Sequence, residues 1–93
     1  MAELIFKIWT DDDDGSCEMA AVSALGDKLR HSVSPNGRCI HSFTAKSDFE
    51  AYQANYDWHG WGQWKAPEGL AERHFTEEDV VKQRRYIAAR PVG

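Results

Sequence analysis

Ninety-three residues, 42% of them apolar and 12% aromatic, make one globular domain and exclude a disordered chain. A formal charge of −4 argues against general nucleic-acid binding, which draws on a basic face. Nothing approaches the roughly 20 apolar residues of a membrane span, no secretory signal is visible, and two cysteines without one point to free thiols in a reducing cytoplasm.

Leu4, Phe6 and Ile8 alternate with Ile5, Lys7 and Trp9, so Glu3–Thr10 reads as a strand. Both of its faces are largely apolar, which places it in the centre of a sheet. Asp11–Asp14 and Gly15 break it, and four acids ahead of Cys17–Leu25 suit a helix N-terminus. Met19, Val22, Leu25 and Leu29 form the expected buried stripe of that helix, with Gly26 as its stop. Lys28–Ser34 and Arg38–Ala45 then flank Pro35-Asn36-Gly37, which predicts a hairpin with a three-residue loop. Its register sets Val33 against Cys39, His31 against His41 and Leu29 against Phe43.

Ser47 and Glu50 form a capping box that opens a helix running to about Asp57, with Phe49, Tyr52 and Tyr56 on its buried stripe. The run Asp57-Trp58-His59-Gly60-Trp61-Gly62-Gln63-Trp64 follows, and its two glycines make it a loop. Leu70–Phe75 reads as a short edge strand. Thr76 and Asp79 form a second box with Phe75 and Val80 as its hydrophobic staple. The helix Glu77–Ala89 is expected to bury Val80, Val81, part of Arg84 and Ile87, to pair Glu78 with Lys82, and to end at Pro91. The order β-α-β-β-α-(β)-α matches a ferredoxin-like α+β sandwich with an added C-terminal helix. Without its fourth strand the domain is a three-stranded sheet covered by helices.

Four constellations bear on chemistry. The aspartate run fails as a calcium loop, because Thr10 and Ala21 fall where the first and twelfth ligands belong. It reads as a solvated helix entry and turn, or as an acidic contact with a basic partner. His31, Cys39 and His41 would share one hairpin face, with Cys17 nearby, but their spacing matches no zinc signature. Asp57 and His59 could form an acid–base pair walled by indoles, yet no nucleophile, phosphate loop or metal motif accompanies them. Lys82, Gln83, Arg84, Arg85 and Arg90 offset a helix macrodipole, and a basic edge is the sharper reading.

Three of the four tryptophans lie in the loop. At i, i+3 and i+6 they could line one side of a helical turn and close the core, or form a protein-binding surface, since tryptophan is enriched at interface hot spots. The expectation is a small cytoplasmic regulator or inhibitor, without catalysis, cofactor or metal, that docks on a larger basic protein. Trp58, Trp61 and Trp64 are its anchors, His59 and Asp57 its polar contacts, and Asp11, Asp12, Asp13 and Asp14 its steering patch. Inhibitors made by phages and mobile elements share this build, an analogy of composition alone. The alternative is a small dimeric enzyme or ligand-binding protein with an aromatic pocket around His59. A nucleic-acid module using Lys28, Arg30 and Arg38 ranks last. The charge alternates in blocks along the chain, which is compatible with a homodimer.

Overall fold

The computed structural model describes residues 2–13, 15–33 and 36–89. Asp14, Ser34, Pro35, Arg90 and Pro91, on which parts of the turn and helix-end expectations fall, lie outside the described residues. The elements are β1 (Leu4–Asp11), β2 (Ser16–Ala21), α1 (Ala24–Val33), β3 (Arg38–Ala45), α2 (Asp48–His59) and α3 (Glu77–Ala89). They form a small α+β domain with one antiparallel sheet in the order β2-β1-β3. The chain order is β-β-α-β-α-α, which differs from the β-α-β-β-α-β order of the expected ferredoxin-like sandwich. No described helix is long and apolar enough to cross a membrane.

β1 occupies the centre, as its two apolar faces require. Leu4, Phe6 and Ile8 are buried on one face, where Phe6 pairs with Phe43 and Ala21, and Ile8 with His41 and Met19. Leu4, Phe6, Ala45, Ala51 of α2 and Val80 of α3 make the core cluster. On the other face Arg30 of α1 lies over Trp9, its guanidinium carbon 3.9 Å from the ring centroid.

Two expectations between residues 11 and 34 are overturned. The aspartate run closes a hairpin and does not open a helix. The Asp11 carboxylate accepts the Asp13 N–H at 2.9 Å, and Gly15 N–H donates to the Asp11 carbonyl at 2.8 Å. Aspartate side chains bond locally to turn backbone in this way, and the closed turn returns Ser16–Ala21 along β1. The helix starts later, where the Ser23 hydroxyl accepts the Gly26 N–H and the Ser23 carbonyl the Asp27 N–H. Gly26 therefore sits inside the first turn of α1, where a Cβ would meet the Ala21 carbonyl oxygen at 2.8 Å. Leu25 and Leu29, expected on a buried stripe, are exposed on α1.

Helix α1 also takes the first arm of the expected hairpin, so β3 pairs with β1 instead. The register carries a bulge at Ile40: Ile8 faces His41 and Trp9 faces Cys39. His31 lies on α1 while Cys39 and His41 lie on β3, so the expected His31–His41 cross-strand pair does not form. Among the described residues no group of three or more His, Cys, Asp or Glu is placed to hold a metal ion.

The two later helices follow their caps. The Ser47 hydroxyl accepts the Glu50 N–H at 3.1 Å, and Glu50 reaches back to the Lys46 N–H at 3.2 Å. Thr76 and Asp79 make their reciprocal bonds at the head of α3. The face of α3 differs from expectation, since Val80 and Gln83 are buried while Val81 and Arg84 are exposed. Leu70–Phe75 supplies one antiparallel bridge, Ser47 to His74, in place of an edge strand.

The polar Gln83 is buried because it completes the sheet. At the end of β2 the Val22 N–H donates to the Ile5 carbonyl at 3.0 Å, while the chain turns away toward α1. The Gln83 amide fills the missing rung: Oε1 accepts the Ile5 N–H at 2.8 Å, and Nε2 donates to the Ile5 and Val22 carbonyls at 2.9 and 3.0 Å. Every donor at this junction is thereby paired out of water.

Candidate aromatic docking site

Helix α2 carries aromatic residues on more than one side. Ala51 turns to the sheet and is buried in the core. Phe49, Tyr52 and Tyr56, the expected buried stripe, instead face the tryptophan loop as it returns along the helix. Gly60 makes that return, with φ of 70°, a left-handed value at which side chains are strained. Its N–H bonds to the Asp57 carbonyl, and Trp61 N–H donates to the Tyr56 carbonyl at 3.0 Å.

Gln53 fastens the loop. Its Nε2 donates to Asp57 Oδ1 at 2.9 Å and to the Gly62 carbonyl at 3.3 Å, while its Oε1 accepts the Trp64 N–H at 2.9 Å. Trp64 is then half-buried, 4.8 Å from Tyr52 in a stacked pair and 5.0 Å from Phe49 in an edge contact. It serves as the seat of the loop.

The other two indoles are presented to solvent. Trp58 closes the end of α2 over the sheet, its ring parallel to His41 of β3 at 4.1 Å. It nevertheless keeps 46% of its surface exposed. Trp61 stacks on His59 at 4.0 Å, takes Tyr56 at 5.3 Å in a perpendicular contact, and is 56% exposed. The i, i+3, i+6 spacing of the three tryptophans thus divides into one packing residue and two surface residues. The fourth, Trp9, belongs to the opposite sheet face beneath Arg30.

The polar members are placed separately. Asp57 is exposed and accepts from Gln53, while the half-buried His59 lies against Trp61. Among the described residues no hydrogen bond joins Asp57 to His59, so the acid–base pair is not assembled. Clefts of 250, 310 and 440 Å³ are lined by residues outside Asp57–Trp64.

Of the aspartates, Asp11 is buried in its turn and Asp13 is exposed. Asp14 lies outside the described residues. Asp12 pairs bidentately with Arg38, at 2.9 and 3.2 Å, and this hydrogen-bonded guanidinium holds its carboxyl below the usual carboxylate range. Arg38 is three residues from His41 on β3, roughly 10 Å along the strand, which separates the acidic turn from the His41–Trp58 stack.

Sequence reasoning missed His41, Gln53 and Tyr56 as members of this surface. The i, i+4 spacing of Gln53 and Asp57 was the one local signal for them. His41 joins only through the β1–β3 pairing. No family model, curated protein or solved structure matches this chain.

Proposed function

We propose that this protein is a small acidic binding module that docks on a larger protein with a basic surface, acting as a regulator or inhibitor. The observation that carries the reading is the exposure of Trp58 and Trp61 around the C-terminal end of α2, each backed by a stacked imidazole. Exposed tryptophans fixed by neighbours lose little side-chain entropy on binding, which suits them as hot spots. Asp57 and Asp13 are exposed acids, while Asp12 is paired with Arg38; the formal charge of −4 supports a basic partner. Trp64 and Gln53 act by holding the loop in shape. The exposed free thiols Cys17 and Cys39 suit a reducing cytoplasm.

The test is recovery of a partner from a lysate of the native host by wild type and by Trp61→Ala, with the fold of both checked by circular dichroism. One large partner, held by wild type and lost by the variant, is expected. If a folded wild type recovers nothing, the reading fails and a small-molecule ligand becomes the next candidate.

A further inference from the structure

Helix α3 turns one side to the fold, where Val80 and Gln83 are buried, and the other to solvent. Glu78, Val81, Lys82 and Arg85, spaced i, i+3, i+4 and i+7, form one stripe on the solvent side, and all four are exposed. Val81 is the apolar member, with 43% of its surface open. Valine is among the poorer helix formers, and here it adds nothing to the core. Charge is sorted along the helix. The first turn carries Glu77, Glu78 and Asp79, and the bases Lys82, Arg84 and Arg85 follow Val81. Lys82 reaches back to Glu78 at 3.6 Å, whereas no described residue forms an ion pair with Arg85.

A stripe that is acidic at one end, basic at the other and apolar between is complementary to itself turned end for end. Parallel pairing of two such helices would set Glu78 against Glu78 and Arg85 against Arg85. Antiparallel pairing about a two-fold axis between Val81 and Lys82 instead sets Glu78 of each copy against Arg85 of the other, because the two residues stand equally far from that axis. The two valines then meet beside the axis, each covered by a Lys82 alkyl stem, and the macrodipoles oppose. We propose that α3 is a homodimer interface, on which a second copy of this chain lays its own α3 antiparallel along the Glu78–Arg85 stripe. The pairing is independent of the tryptophan loop. A helix of 13 residues is about 20 Å long. The contact therefore belongs with the small interfaces, below roughly 1,200 Å², that exchange readily.

The test is sedimentation velocity of the full chain at submillimolar concentration, in about 20 mM and about 0.5 M sodium chloride. A dimer is expected in the lower salt, with its dissociation constant about tenfold larger in the higher. Glu78→Arg and Arg85→Glu each set like charges across the axis and should be monomeric. Mixed in equal amounts, the two variants regain opposite charges at both pairs and should form a heterodimer. Trp61→Ala should dimerise as wild type does. A wild type that is monomeric in both salts, a dimer that salt and both variants leave unchanged, variants that stay monomeric when mixed, or a dimer lost in Trp61→Ala would each overturn the proposal. Circular dichroism checks every fold. If a charge variant fails to fold, Val81→Glu takes its place. It brings two carboxylates together beside the axis, so it should be monomeric, and a dimer of it would overturn the pairing as well.

Discussion

Gln83 and Ile5, 78 residues apart in the chain, face each other as two strand residues would, with the side-chain amide of one standing in for a peptide group. Gln83→Leu leaves the Ile5 N–H without its acceptor and is expected to cost about 1–3 kcal/mol. Gln83→Glu keeps an acceptor for that N–H but sets a carboxylate against the Ile5 and Val22 carbonyls. It should be the worse variant at pH 7, and should recover in mild acid as its own carboxyl regains a proton. Urea denaturation of the three proteins at both pH values measures this. A Gln83→Leu protein as stable as wild type would disprove the role assigned to the amide.

Asp79 gives the fold a dependence on acid. Its carboxyl is held below the ordinary range chiefly by the Thr76 backbone N–H, with Arg73, 3.0 Å away, adding to the effect and burial working against it. A folded value below the unfolded one contributes stability that is present above about pH 4 and is lost as pH falls through the lowered value. Asp79→Asn is therefore expected to cost about 0.3–1 kcal/mol at pH 7. In strong acid, near about pH 2, the two proteins should converge. Paired thermal melts at these two pH values test it.

The tryptophans are expected to separate by role. Trp64→Ala removes the seat on Phe49 and Tyr52 and should cost about 2 kcal/mol, half the value for a core tryptophan. Trp58→Ala and Trp61→Ala, at exposed positions, should cost less than about 1 kcal/mol while weakening partner binding most. Iodide quenching should reach the Trp58 and Trp61 emission and leave that of Trp64 largely shielded. Uniformly shielded emission would count against an exposed docking site.

Cys17 and Cys39 lie on β2 and β3, with β1 between them. Two strand spacings amount to about 9.6 Å, beyond the roughly 7 Å limit for bridging Cα atoms. Their strand partners, Thr10 and Trp9, moreover fall on opposite faces. Mild oxidation should yield disulfides between chains and none within one. Mass spectrometry of the oxidised monomer would refute this by finding Cys17 joined to Cys39.

Both capping boxes were legible in the sequence, and α2 and α3 begin where they should, because a cap is a bond between residues three apart. β1 was legible through its alternation, and the loop after α2 through its two glycines. The failures concern pairing over distance. Asp11–Asp14 suits a helix head as well as a turn, and only the ladder with β1 decides between them. Lys28–Ser34 alternates well enough for a strand, but Ser23 caps a helix that overrides it. The face of α3 was misread because a buried glutamine carries no apolar signal, and the His41–Trp58 stack needs two elements to meet.

The amide rung at Ile5 also sets a schedule for synthesis. Ribosomes add about 5–20 residues per second, so roughly 4–16 s separate the emergence of Ile5 from that of the side chain that completes it. Throughout that interval the β1–β2 hairpin lacks its amide rung, and the core lacks Val80. Completion of the sheet at Ile5 therefore waits for α3.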